Sequence, residues 1–137
     1  MDRITTLQEI LAQDPNNVLA RYGLAMEFAN SGHTDQALEE FRKLLATNPD
    51  YPAAYFMSAQ TLVKANRVDE AKKMLVDGIA AAQRKRDSHA ASEMQGMLEE
   101  LGRLLALGSW LLALGSWLLA LGSWSLVVGH WSLVVGR

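Results

Sequence analysis

From residue 18 onward, apolar side chains fall three and four residues apart. Tyr22, Ala25, Met26 and Ala29 form one such set, and Ala37, Phe41, Leu44 and Leu45 another. That spacing places a stripe on one face of a helix, so each set predicts an amphipathic helix with its stripe turned inward. Between them stands the polar stretch NSGHTD, residues 30–35, in which Gly32 can take the left-handed C-cap and Thr34 or Asp35 can cap the next helix. The pattern then returns. Asp14-Pro15-Asn16-Asn17 reappears as Asn48-Pro49-Asp50-Tyr51, thirty-four residues from proline to proline. Tyr22 matches Phe56, Ala25 matches Ala59, Phe28 matches Leu62, Ala37 matches Ala71, Phe41 matches Leu75 and Leu45 matches Ile79. Small residues recur as small and large apolar residues as large, which a repeated packing unit requires. In the second copy the turn reads KANRVDE, with Asn66 in the place of Gly32 and Asp69 at the start of the next helix. Asn tolerates the left-handed conformation next best after Gly, so the turn survives the exchange.

Two such units alone would leave apolar faces bare at both ends. At the N-terminal end, DRITTLQEILAQ (residues 2–13) aligns with the second helix of a unit and puts Leu7, Ile10 and Leu11 on one face. At the other end, DSHAASEMQGMLEELG (residues 87–102) offers Asp87 or Ser88 as N-cap. Its inward stripe is Ala91, Met94, Met97, Leu98 and Leu101, with Glu93, Glu99 and Glu100 outward. The expected fold is all-α, an antiparallel helix-hairpin solenoid of about six helices over residues 1–103. It divides into an N-terminal helix (1–13), two repeats (18–51 and 52–85) and a capping helix (87–101).

The period, the alanines at 25, 59, 37 and 71 and the prolines at 15 and 49 resemble the tetratricopeptide repeat family, in its small bacterial form. The unit of that family is a thirty-four-residue helix pair. Arg21 stands where the family usually has Trp, and Gly78 where an alanine is usual. The resemblance implies a concave groove lined by the first helix of each unit. Carried across by alignment, its residues are Leu19, Tyr22, Met26, Ala29 and Asn30, then Ala53, Phe56, Gln60, Val63 and Lys64. It further implies a noncatalytic interaction module that holds a peptide or partner surface, with Tyr22, Phe56 and Met26 as apolar anchors. The competing expectation turns some of these side chains inward against the N-terminal helix, Leu19 and Ala53 first. One version of the family grips a carboxylate with Lys and Asn where this chain has Tyr22 and Met26, so that clamp is not expected here.

Beyond Arg103 the composition changes. All fifteen acidic residues and twelve of the thirteen basic ones lie in residues 1–103, while all four tryptophans lie in residues 104–137. Leu104 to Trp124 is LLALGSW written three times, followed by SLVVGHW and SLVVGR. Leu104 through Gly129 is free of charge over twenty-six residues, and a bilayer core takes about 20 in a helix. A membrane-tethered adaptor, membrane-associated through 104–129, is therefore the alternative reading. Tryptophan every seven residues departs from the usual aromatic belts. Glycine recurs at the same interval from Gly108 to Gly136, and each costs roughly 1 kcal/mol in a water-soluble helix. As a coiled coil the repeat lacks charged flanking positions. The genetic code offers another origin. CTCTTGG in tandem reads CTC TTG GCT CTT GGC TCT TGG, which encodes Leu-Leu-Ala-Leu-Gly-Ser-Trp. A seven-base unit read in triplets forces a heptapeptide period, and the variant phrase SLVVGHW follows from TCNTTGG in the same way. The tail is accordingly expected to be translated tandem-repeat DNA joined to the domain by loss of a stop codon.

Chemistry narrows the classes further. The chain is mildly acidic, with a formal net charge of −2, which opposes a nucleic-acid partner because phosphate binding needs clustered Lys and Arg. The one basic run, Arg84-Lys85-Arg86, falls at an expected helix end and complements the helix dipole there. There is no cysteine, so thiolate chemistry is excluded and a reducing, cytoplasmic setting is the expectation. The start MDRITTLQEI lacks the apolar core of a secretory signal. His33, His89 and His130 have no metal-ligand spacing on an expected face, and no phosphate loop or nucleophile motif is present. No cofactor, no metal and no catalysis are expected; the partner is a protein or peptide.

Overall fold

A computed structural model describes the backbone of residues 2–135 and the side chains of residues 2–122. Among the described residues there are six α-helices and no strand. They are α1 (Arg3–Gln13), α2 (Val18–Asn30), α3 (Thr34–Thr47), α4 (Pro52–Lys64), α5 (Val68–Arg84) and α6 (Ser88–Val135). The chain divides into two units, Met1–Leu101 and Gly102–Arg137.

In the first unit, local chemistry sets most of the helix ends. Asn17 accepts the Ala20 amide at 2.9 Å and so caps α2, while Asp87 accepts the Ala90 amide at 3.0 Å and caps α6. Pro52 opens α4, where its missing N–H costs nothing. Neither Thr34 nor Asp35 caps α3: the N-cap position is His33 and makes no side-chain bond. At α5 the N-cap is likewise Arg67, ahead of Asp69.

One turn geometry closes three helices. The His33 amide bonds the Phe28 carbonyl, the Arg67 amide that of Leu62 and the Asp87 amide that of Ala82, each at 2.9 Å. These are six-residue closures of the Schellman type, and each needs a left-handed residue just before the donor. Gly32 (φ 79°), Asn66 (φ 59°) and Arg86 (φ 58°) fill that place. The same turn thus works within both hairpins and again between α5 and α6, where the proline-marked connection of the first repeat is replaced.

Two buried clusters form the core. Leu24, Ala25, Phe28, Ala37, Phe41, Leu44 and Ala54 make the first; Ala59, Leu62, Ala71, Leu75, Ala82, Met94 and Leu101 make the second. Four repeat-matched pairs are therefore buried in both copies: Ala25 with Ala59, Phe28 with Leu62, Ala37 with Ala71 and Phe41 with Leu75. Met94 and Leu101 close the second cluster from α6, with Ala91, Met97 and Leu98 half-buried beside them. On α1, Leu7 and Leu11 pack on the first cluster, but Ile10 is exposed, because it sits off the stripe that faces α2.

Both departures from the family pattern have a physical reason. Arg21 donates to Glu40 Oε2 and to the Pro15 carbonyl, each at 2.7 Å, so an ion pair occupies the space of the usual indole. Tyr55, thirty-four residues later, donates its hydroxyl to the Pro49 carbonyl at 3.0 Å. Each copy thereby ties the carbonyl of its turn proline from six residues downstream. At Gly78, a Cβ would stand 2.6 Å from Tyr55 Cβ and 2.6 Å from Met94 Sδ. An alanine there would have to push back Tyr55 Cβ, and with it α4, as well as the flexible end of Met94.

The second unit is described by itself. Helix runs through it to Val135, despite glycine at every seventh position. Leu and Ala are strong helix formers and no proline interrupts them, so their summed propensity outweighs the glycines. Every side chain of residues 102–122 is exposed.

Candidate partner-binding groove

The first helix of each hairpin, together with α6, builds a cavity of about 460 Å³ in the first unit. Tyr22 comes from α2, Ala53, Phe56 and Met57 from α4, and His89, Ala90, Glu93 and Met94 from α6; Tyr51 and Lys85 complete the rim. These side chains converge because α2, α4 and α6 each begin after a tight connection and present the same helical position to one side.

The floor is aromatic and apolar. The Tyr22 ring meets Tyr51 edge-on at 5.8 Å and Phe41 at 6.1 Å, a geometry that holds flat rings in fixed orientation. Lys85 Nζ lies 5.9 Å over the Tyr51 ring. Burial, and then the neighbouring Tyr51, push the Tyr22 hydroxyl above the ordinary phenol range, so it stays a neutral donor throughout the physiological range. The polar rim is mixed in sign, with Lys85, Asp87 and Glu93 all lining it. His89 Nε2 stands 3.6 Å from Glu93 Oε1 along α6.

Of the ten residues expected to line the groove, Tyr22, Ala53 and Phe56 meet at this cavity. Met26 and Ala29 pack on the first core cluster and Val63 on the second, while Ala53, which the inward alternative turned against the N-terminal helix, is exposed. Leu19 points the other way from that alternative: it is 76% exposed. Asn30 and Lys64 are exposed and Gln60 half-buried, and none of them lines the cavity. The wall supplied by the α5–α6 turn and α6 was missed from sequence, because residues 87–101 read as a cover for the core. Its signal was present in Glu93, a charge one residue from the buried Met94 on a helix expected to face its polar side outward. Among the described residues, no group of three His, Cys, Asp or Glu side chains gathers to hold a metal.

Comparison with known proteins fits this architecture. Residues 28–94 match the family model described as Tetratricopeptide repeat. Over 100 residues the chain is 27% identical to the TPR repeat-containing protein PA0015 of Pseudomonas aeruginosa, covering 73% of this chain and 95% of that one. The solution structure of protein BPP2914 from Bordetella parapertussis superposes with a TM-score of 0.69 at 31% identity, over 78% of this chain and 93% of the other. The chain belongs to the tetratricopeptide repeat family. At the level of fold alone, PcrH, crystallised in complex with the chaperone binding region of PopD, matches 73% of this chain and 76% of its own at a TM-score of 0.68 and 19% identity.

Proposed function

We propose that this protein is a noncatalytic interaction module that holds a segment of a partner protein in the concave groove of its first unit. The observation that carries the reading is the open cavity where Tyr22, Phe56, Met57 and Met94 meet. A half-enclosed apolar surface walled by three helices gives an inserted side chain a desolvated seat, and polar groups at its rim set orientation. PcrH, of the same fold, binds a region of another protein, which is the precedent for a polypeptide occupant. Groove chemistry here favours apolar contact and shape, since Tyr22, Phe56, Met57 and Met94 supply the seat and Lys85, Asp87 and Glu93 stand at its rim.

Capture of partners by the full chain tests this reading. Ala53 is exposed and lines the cavity, so Ala53→Glu puts a carboxylate into the seat without touching the core. Retention of partners is expected to fall about tenfold in that variant, because an apolar seat penalises an unpaired charge. Tyr22→Ala is expected to act in the same direction. Leu19→Ala, which lies outside the cavity, is expected to leave capture unchanged. An identical partner list for wild type and Ala53→Glu would remove the groove reading.

A further inference from the structure

The second unit carries an observation that is independent of the groove. Leu104, Leu105, Leu107, Trp110, Leu111, Leu112, Leu114, Trp117, Leu118, Leu119 and Leu121 are all exposed, Leu112 and Leu119 to 78%. No charge falls between Leu104 and Gly129. Among the described residues, α6 is the one helix long and apolar enough to cross a membrane by length and composition. We propose that the segment 104–129 is a lipid-embedded helix whose occupied environment is the hydrocarbon core of a bilayer.

Two features select lipid over a second copy of the chain. The first is angular distribution. At about 100° per residue, the leucines and tryptophan of one heptad point into every quadrant of the helix. Only the serine position and the small alanine and glycine positions interrupt them. Pairing two such helices along one seam would bury a single stripe and leave the remaining leucines and tryptophans in water. A helix apolar all round finds its complement in a solvent that is apolar all round. The second is length. Twenty-six charge-free residues at ~1.5 Å each reach about 39 Å, more than the ~30 Å thickness of a bilayer core. All backbone hydrogen bonds of such a helix are internal, which lipid demands. A tandem-repeat origin of the coding DNA does not alter this partition, because the side chains decide it. Tryptophan at intermediate depth places one indole N–H per ring in lipid, a far smaller penalty than a charge.

The protein carries its own probe. All four tryptophans lie in the tail, at positions 110, 117, 124 and 131, three of them within 104–129, so tryptophan emission reports on the tail and not on the first unit. The full chain is mixed with phosphatidylcholine vesicles, with and without bromine on the acyl chains, and floated on a density gradient. Expected are flotation with the vesicles, retention through an alkaline carbonate wash, and quenching of the emission by the brominated chains. A full chain with Leu112→Lys and Leu119→Lys, both outside the first unit, is expected to lose about tenfold in the bound fraction. Ala53→Glu is expected to float like wild type, which separates this inference from the groove. Wild type that stays out of the vesicles, that is released by carbonate, or that keeps full emission against brominated lipid overturns the proposal. So does wild type that forms stable oligomers in preference to entering vesicles.

Discussion

At the position where the first hairpin carries Leu44, fully enclosed, the second carries Gly78. The two residues are thirty-four apart and equivalent in the repeat. In the second hairpin, Tyr55 and the sulfur of Met94 fill the volume that a leucine side chain fills in the first. A second pair of equivalent positions also differs. Arg21 and Glu40 form an ion pair with side chains 18% and 13% exposed. Their counterparts Tyr55 and Met74 pack apolar surface on the second cluster. A repeat therefore conserves the path of its backbone and the total volume between helices, while neighbours divide that volume differently. An interior hairpin borders another hairpin; the last one borders α6.

Exchanging the residues is the strongest way to break this comparison. Leu44→Gly is expected to cost about 4 kcal/mol, through a cavity and a helix glycine together. Gly78→Leu is expected to cost roughly 3 kcal/mol by overpacking against Tyr55 and Met94. Urea unfolding measures both, and tolerance of Gly78→Leu would mean that α6 is not held where Met94 needs it. Next in size is Glu40→Met. It leaves the Arg21 guanidinium, largely shielded from water, with the Pro15 carbonyl alone, at an expected cost of about 2 kcal/mol. Adding Arg21→Tyr to it transplants the second repeat's solution, and the double variant is expected to return to within about 1 kcal/mol of wild type. That non-additivity is the signature of a coupled pair.

The period and the helix faces were legible because packing repeats every thirty-four residues and each stripe is continuous. The left-handed turns at Gly32 and Asn66 were legible because those residue types favour the conformation. Arg86 was not, since arginine has no such preference and only the closure between α5 and α6 imposes it. Gly78 looked like a lapse from alanine. Its cause is a contact from Met94, sixteen residues further on in another helix, and spacing within one helix cannot show that. Half of the groove was hidden for the same reason: His89 and Glu93 gain their meaning from α4, across the cavity.

Smaller effects sharpen the picture. Arg86→Gly relieves a left-handed arginine and is expected to stabilise by about 1 kcal/mol, read as a rise in melting temperature, whereas Asn66→Gly is expected to gain only a few tenths. The smallest effect is a pH dependence. A side-chain hydrogen bond from Arg67, aided by its charge, holds the Glu70 carboxyl below the ordinary carboxylate range. A depressed folded-state pKa contributes stability that is present above the unfolded-state value and lost as pH falls through the folded one. The pair is exposed, so the loss is slight and confined to the acid limb below about pH 4.5. Glu70→Gln is expected to flatten that limb of a melting-temperature profile and leave the neutral region unchanged.

No residue of α1 is buried. It rests on α2 through half-buried Ile4, Leu7 and Leu11, and its Arg3–Glu27 pair at 3.1 Å involves a guanidinium mostly in water. A helix held so lightly opens long before the rest of its unit, and its amides trade hydrogen for deuterium on a shorter clock than those of α3 or α5. Such an excursion bares the outer flank of α2 while the hairpin beneath it stays shut. The molecule would then show graded protection running inward from its start, a property that a single cooperative melting curve conceals.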